Sequence, residues 1–412
     1  MRNLSRLIGV IVGCMVLLSA YCALAQDWPQ WRGIDRDGKV TGFTAPETWP
    51  TMLAQKWTVS VGTGDATPAL VGDRLYVFSR QGDDEVTRCL NAGDGQQAWE
   101  DRYAAQAVGG PASRHPGPRS SPAVAEGKVI TLGVAGVLSC LDAATGQVVW
   151  RNDPFPGSVP SFFTAMSPII VNGMVVAQLG NETDGVIVAF DLATGEQRWQ
   201  CAGEGEGPQY ASPVLLTIED TTMIVTLTAK SVVGVAVADG QVLWQLPFVP
   251  QGRAYNAATP IIDGQMVIYT GAGRGTRAVK IVRQGDGFAA EEVWSNPDLG
   301  VQFNTPVLEG GLLFGLSAQG NLFCVDAQTG QTAWVNETQL DRGGFGAIVG
   351  AGSVVFILPS TPELIAFSPT AEGYTELARI KVAETPTYAH PVIAGSSIFV
   401  RDQDAVTLWM FE

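Results

Sequence analysis

The chain has 412 residues, 46% of them apolar and 16% charged, with a net charge of −15 at pH 7. That composition supports a sizeable core and excludes wholesale disorder. The acidic balance repels nucleic acid and anionic lipid, so neither is expected as a partner.

In chain order, the first element is a segment with Arg2 and Arg6, an apolar run from Leu7 to Ala20, and Ala23-Leu24-Ala25. This pattern predicts a cleavable secretion signal over residues 1–25, with export to the periplasm or the extracellular space. An uncleaved anchor is the alternative, but the run is short for a membrane span. Tyr21 is bulky where a lipid-anchoring signal on Cys22 takes a small residue. No later segment is apolar for long enough to cross a bilayer, so no transmembrane segment is expected in the mature chain.

Residues 26–55 read as an N-terminal extension that holds Trp28, Trp31 and Trp49. Its Asp35-Arg36-Asp37-Gly38 begins like a calcium loop, lacks the later ligands and reads as a solvated turn.

From residue 56 to 412 the chain repeats itself. C-L-N-A-G-D-G-Q-Q-A-W ends at Trp99, C-L-D-A-A-T-G-Q-V-V-W at Trp150, A-F-D-L-A-T-G-E-Q-R-W at Trp199 and C-V-D-A-Q-T-G-Q-T-A-W at Trp334. Shorter copies end at Trp244 and Trp294, Leu377 takes the tryptophan place in a further copy, and Trp57 has the second half of the context alone. A second mark keeps step: T-P or S-P at 67–68, 121–122, 167–168, 212–213, 259–260 and 305–306, and H-P at 390–391. Units of roughly 44 residues, each reading as four strands, predict an all-β propeller of four-stranded antiparallel blades. Eight outer-strand positions give eight blades, with seven the rival count. Only three strands fit after residue 391, so the segment around Trp57 should supply the fourth and close the ring by pairing the two ends of the chain.

Within the motif, Asp142, Asp191 and Asp326 should accept bonds from their own turns, and Gly146, Gly195 and Gly330 supply the positive φ that such turns need. The tryptophans Trp57, Trp99, Trp150, Trp199, Trp244, Trp294 and Trp334 should fill the gap to the neighbouring blade, with the small residue at 189 leaving room for a ring from next door. Cys89, Cys140 and Cys324 stand where Ala189 does, as small buried residues in separate units too far apart to bridge.

A-x-D-x-x-T-G-x-x-x-W resembles the tryptophan-docking repeat of the pyrroloquinoline quinone (PQQ) dehydrogenases and their propeller relatives. The stretch D-W-P-Q-W-R-G-I-D-R-D-G and the G-P-R-S-S-P before the second unit are similar to an exported bacterial group of PQQ-like repeat proteins. The resemblance extends to the BamB-type outer-membrane assembly factor, an eight-bladed scaffold. It implies either a non-catalytic envelope scaffold or a quinoprotein dehydrogenase that uses PQQ with calcium. The dehydrogenases hold the quinone between a tryptophan and a ring of two adjacent cysteines; no two cysteines are adjacent here, and Trp409 is the one tryptophan left outside the repeat and the extension.

Two histidines, His115 and His390, exclude a multi-histidine metal site, and no metal site is expected. His390 takes a Ser or Thr place and reads as structural. Gly315 to Gly320 has one residue too many for a nucleophile elbow, and G-A-G-R-G at 271–275 lies between strands as a loop. A hydrolase or lyase without a motif remains a third reading.

Propellers bind at the mouth of the channel, on the loops that enter each innermost strand and those that join the second and third strands. These should carry Arg119, Tyr210, Tyr255, Asn256, Phe303, Asn304 and Tyr388, with Arg114 and His115 on the long insertion after Asp101. Arg80, Lys230, Arg253, Arg274, Arg277, Arg342 and Arg401 map to loops of the same face. Candidate ligand-binding residues are therefore Arg114, His115, Arg119, Tyr210, Lys230, Tyr255, Asn256, Arg274 and Asn304. A cationic mouth would take a small anionic ligand, unless Asp83, Asp84, Asp184, Asp341 and Asp402 neutralise it. The reading favoured by the residues is an exported, monomeric, non-catalytic propeller that binds an envelope protein or such a ligand and needs no cofactor.

Overall fold

A computed structural model describes residues 27–183, 185–201, 207, 209–285 and 287–411. The expected signal segment and Asp184 lie outside them. Eight four-stranded antiparallel sheets form a ring. Blades 1 to 7 span 69–104, 123–152, 169–201, 214–247, 261–296, 307–339 and 346–381, each in plain up-and-down order. Blade 8 takes three strands from 392–410, and its outermost strand is Ala54–Ser60, paired with Ala405–Met410. The two ends of the chain thus close the ring, which leaves no open sheet between first and last blade. Among the described residues the single helical element is the 3-10 turn Gly110–Arg114, and no helix is long and apolar enough to cross a membrane.

The repeat motif fastens blade to blade. Asp191 Oδ1 accepts from the Ala193 and Thr194 amides at 2.9 and 2.8 Å, and Asp142 and Asp326 do the same in their turns. Gly195 turns at φ +74°, where a Cβ would stand 2.7 Å from the Trp150 ring of the preceding blade. A glycine is needed there both for the backbone and for the ring. Trp150 Nε1 then donates to Leu192 O at 2.9 Å in blade 3, and Trp57, Trp99, Trp199, Trp294 and Trp334 each donate to a carbonyl of the blade that follows.

Three details differ from the sequence reading. Ala189 faces Trp199 of its own blade, as Cys89, Cys140 and Cys324 face Trp99, Trp150 and Trp334, so the small residue makes room for its own outer strand's ring. Trp244 turns inward, donating to Met223 Sδ at 3.1 Å, because Gly234 opposite it leaves space and blade 5 lacks the docking turn. In blade 7 a turn two residues longer than that of blade 3 puts Ala378, rather than Leu377, in the tryptophan register opposite Ala366. The four described cysteines are free and buried.

The second mark has its own physical reason. Thr67 N donates to Ser121 Oγ, Ser121 N to Ser167 Oγ, Ser167 N to Ser212 Oγ and Thr259 N to Thr305 Oγ1, all at 2.9–3.1 Å. At five blade entrances a Ser or Thr hydroxyl, that of Thr67, Ser121, Ser167, Ser212 or Thr305, thus satisfies an amide of the neighbouring blade. His390 N donates to Thr67 Oγ1 at 2.9 Å, which carries the same kind of bond across the junction of blades 8 and 1.

Candidate functional site: the channel and its mouth

The axis is filled by the N-terminal extension. Trp28, fully buried, exchanges main-chain bonds with Leu70 of blade 1, Pro29 O accepts from Val124 of blade 2, and Gly38 and Val40 pair with Gly350 of blade 7. Arg32 Nη1 donates to Thr305 O at 3.0 Å and Nη2 to Pro306 O at 2.8 Å, while Arg36 donates to Ser167 O and Pro168 O at 2.8 and 2.9 Å. Trp31 donates to Thr259 Oγ1 at 3.0 Å and packs edge-on to His390. Asp35-Arg36-Asp37-Gly38 is therefore part of a plug rather than a solvated turn: Arg36 is 2% exposed, because mark carbonyls replace its water. Burial lowers the Arg32 and Arg36 guanidinium pKa values to about 10 and about 9. His390 Nε2 lies 3.4 Å from Arg32 Nη1, and burial, with that charge beside it, holds the imidazole well below its ordinary value.

Above the plug, the loops that enter the inner strands carry a collar of rings. Phe162, Tyr210 and Tyr255 meet edge to face with centroids 5.1–6.5 Å apart. Phe303 stacks on Phe345 at 4.5 Å, Phe345 meets Tyr388, and Tyr388 meets His115. His115 Nδ1 lies 2.8 Å from Asp65 Oδ2. Seven successive blade-entry loops contribute to this collar, from His115 to Tyr388, and the eighth supplies Asp65. Phe303 is 40% exposed and the other rings are half-buried.

The candidate residues divide by what their polar groups already do. Asn256 Nδ2 donates to Thr228 O and Phe248 O, and its Oδ1 accepts from Arg274 at 2.7 Å. Asn304 Nδ2 donates to Leu316 O and Gly344 O. Arg119 donates to the carbonyls of His115 and Phe162, which ties the two long entry loops together, and burial lowers its guanidinium pKa. Arg274 donates to Phe248 O, lies 4.0 Å from that ring's centroid, and is lowered to about 10 by burial and then by Arg277. Tyr210 Oη accepts from the Phe162 amide at 3.0 Å. Tyr255 presents its ring, and Arg114, Lys230, Arg253 and Arg342 are exposed.

Arg80, Arg277 and Arg401 are not loop residues: they lie on the strands Arg74–Gln81, Gly275–Gln284 and Ser397–Arg401. The strands run one or more residues further toward the mouth than the turn signals suggest. Arg401, 1% exposed, donates to Ala66 O, Phe78 O and Gly62 O. Of the acids expected to neutralise this face, Asp341 and Asp402 accept from amides of their own turns, and Asp402, with Asp65, also offsets part of the burial of Arg401. The buried cations are thus satisfied mainly by carbonyl oxygens. Sequence reasoning missed the plug residues, Asp65, Phe162 and Phe345. Phe345 escaped because blade 7 carries no S/T-P mark to point at the residue before it.

The family model described as "Outer membrane protein assembly factor BamB" matches residues 83–336. The chain belongs to that family. A BamB of Burkholderia pseudomallei is 25% identical over 366 residues, covering 85% of this chain and 86% of that protein. The quinohemoprotein alcohol dehydrogenase ADH-IIG of Pseudomonas putida is 31% identical over 158 residues, 36% of this chain and 21% of the dehydrogenase. Among solved structures, BamB from Moraxella catarrhalis superposes with a TM-score of 0.63 at 17% identity, over 88% of this chain and 98% of that one. The quinohemoprotein alcohol dehydrogenase of Comamonas testosteroni gives 0.68 at 16% identity, over 93% and 80%. At such identities the structural likeness is one of fold, which BamB proteins and dehydrogenases share.

Proposed function

We propose that the chain is exported to the cell envelope and acts there as a monomeric, non-catalytic propeller, binding a protein partner or a small anionic ligand at its mouth. The observation that carries this reading is the half-exposed aromatic collar from His115 through Tyr388 and Phe345 to Phe303, set among the exposed cations Arg114, Arg253 and Arg342 of an otherwise acidic protein. Aromatic rings and arginines are the residue types that anchor protein interfaces. Membership of a family described as an assembly factor supports a protein as the partner.

The test is a photoreactive residue in place of Phe303 in the source cell. A discrete adduct with one envelope protein is expected, weakened when Arg114, Arg253 and Arg342 are all made Gln. An equal yield from Val149, 40% exposed on the outer rim, would overturn it.

A second reading, a PQQ dehydrogenase, draws on the relatives named quinohemoprotein alcohol dehydrogenases and on Trp31, which brings an indole to the axis beneath the collar. The donor set fits this group poorly. The described cysteines lie beside the blade tryptophans or, for Cys201, on an outer strand, and no three His, Cys, Asp or Glu converge on a metal position among the described residues.

A further inference from the structure

The plug is bound unequally around the ring. Hydrogen bonds or ring contacts join it to blades 1, 2, 3, 5, 6, 7 and 8 through Leu70, Val124, Ser167, Thr259, Thr305, Gly350 and His390. Among the described residues no hydrogen bond joins it to Val214–Ile218, the innermost strand of blade 4. That strand is five residues long, where those of blades 1, 2, 3, 5, 6 and 8 have three. It is the edge of its sheet, so its axial side keeps unpaired main-chain groups.

A cavity of about 310 Å³ opens at this gap, between Ile34, Asp35 and Arg36 of the plug and Leu215, Ile261 and Ile262 of the strands. None of the collar rings lines it. Ile34 is 53% exposed and Leu215 is 37% exposed, so an apolar pair faces solvent across the opening. Arg36 is buried, yet its Nε has no acceptor. Asp35 is exposed at the rim, and Asp37 lies beside it. The volume stands at the small end of roughly 300–1,000 Å³ typical of ligand sites, enough for one or two side chains.

We propose that this cavity takes an extended peptide segment of another protein, added at the free edge of the blade 4 strand where Val214 and Leu215 line the opening, with an aliphatic side chain between Ile34 and Leu215 and a flanking lysine or arginine on Asp35. Two parts of the segment answer features of the site: the strand edge offers main-chain groups without partners, and Asp35, exposed at the rim with no ion pair among the described residues, favours a cation, whereas Asp37 already pairs with Lys39 at 3.9 Å. Addition of a strand to an exposed edge, with pockets reading alternate side chains, is an established mode of peptide capture. The site is separate from the collar and does not depend on what the mouth binds.

The probe is a fluorescein-labelled peptide of alternating lysine and valine, titrated with the purified protein and followed by anisotropy. Binding is expected to weaken about tenfold or more in Leu215→Ser and in Ile34→Ser, each with a thermal melt matching the parent, and to be unchanged in Phe303→Ala. A glutamate–valine peptide should bind at least tenfold more weakly. Absence of binding, parent-like affinity in either cavity variant, or a loss caused by Phe303→Ala instead would each overturn the proposal.

Discussion

Arg32 and Thr305 stand 273 positions apart in sequence and are joined by a hydrogen bond of 3.0 Å from Nη1 to the threonine carbonyl. The same guanidinium donates to Pro306 O and Asp37 O through Nη2, both at 2.8 Å. One side chain therefore fixes both the turn of the plug and its place under blade 6.

Arg32→Gln should destabilise the protein by about 2–4 kcal/mol. Bonds from a charged donor are worth roughly 1.5–3 kcal/mol each, but the pKa lowered to about 10 by burial shows that the carbonyls replace water incompletely, and that deficit disappears with the charge. Arg32→Lys should not restore stability, since an ammonium cannot reach three acceptors in the plane of a fork. Urea unfolding measures the loss, and trypsin should cut after Lys39 faster in both variants. Parent-like unfolding in Arg32→Gln would show that the plug is not held by this residue.

Trp199→Ala should cost roughly 3–5 kcal/mol through the cavity left between blades 3 and 4. The indole is 8% exposed and donates to Val237 O at 2.9 Å. Gly240→Ala should be destabilising by the same contact seen from the other side, because its φ is +78° and a Cβ would lie 2.6 Å from the Trp199 ring. Calorimetry on both variants checks this. Binding at the mouth, on the inner end of the blades, should be unaffected.

Acid should loosen the blade fasteners. Asp142 is held below the usual aspartate range by the Thr145 side chain and amide, Asp191 by Arg198 and the Thr194 amide, and Asp326 by the Thr329 side chain and amide. A lowered folded-state value means that their contribution is present above the ordinary 3.8 and is lost as pH falls through the lower folded values. A triple Asp→Asn variant should therefore show a flatter fall of melting temperature below pH 4 than the parent. An identical acid profile in the two proteins would contradict the role given to these turns.

Much of this was legible in the sequence. The motif copies and the S/T-P marks gave the four-stranded unit, the blade number and the closure by Ala54–Ser60, because each blade meets its neighbours through local turns that need particular residues. The plug was not legible. Trp28, Arg32 and Arg36 bind main-chain carbonyls, and carbonyls carry no side-chain signature by which a partner distant in the sequence could be recognised. Two arginines and two tryptophans within a short glycine-turned stretch were the available hint. For a related reason Asn256, Asn304 and Arg274 read as ligand residues although their polar groups are engaged by loop carbonyls and by each other. Composition places them at the mouth without saying which way they turn.

The central claim, a binding propeller rather than a quinone enzyme, is tested most directly by titrating the purified protein with PQQ and calcium, following absorbance and the reduction of an artificial electron acceptor with alcohols present. No stoichiometric quinone and no dye reduction is the predicted result. One quinone bound per chain, with alcohol-dependent dye reduction, would contradict it.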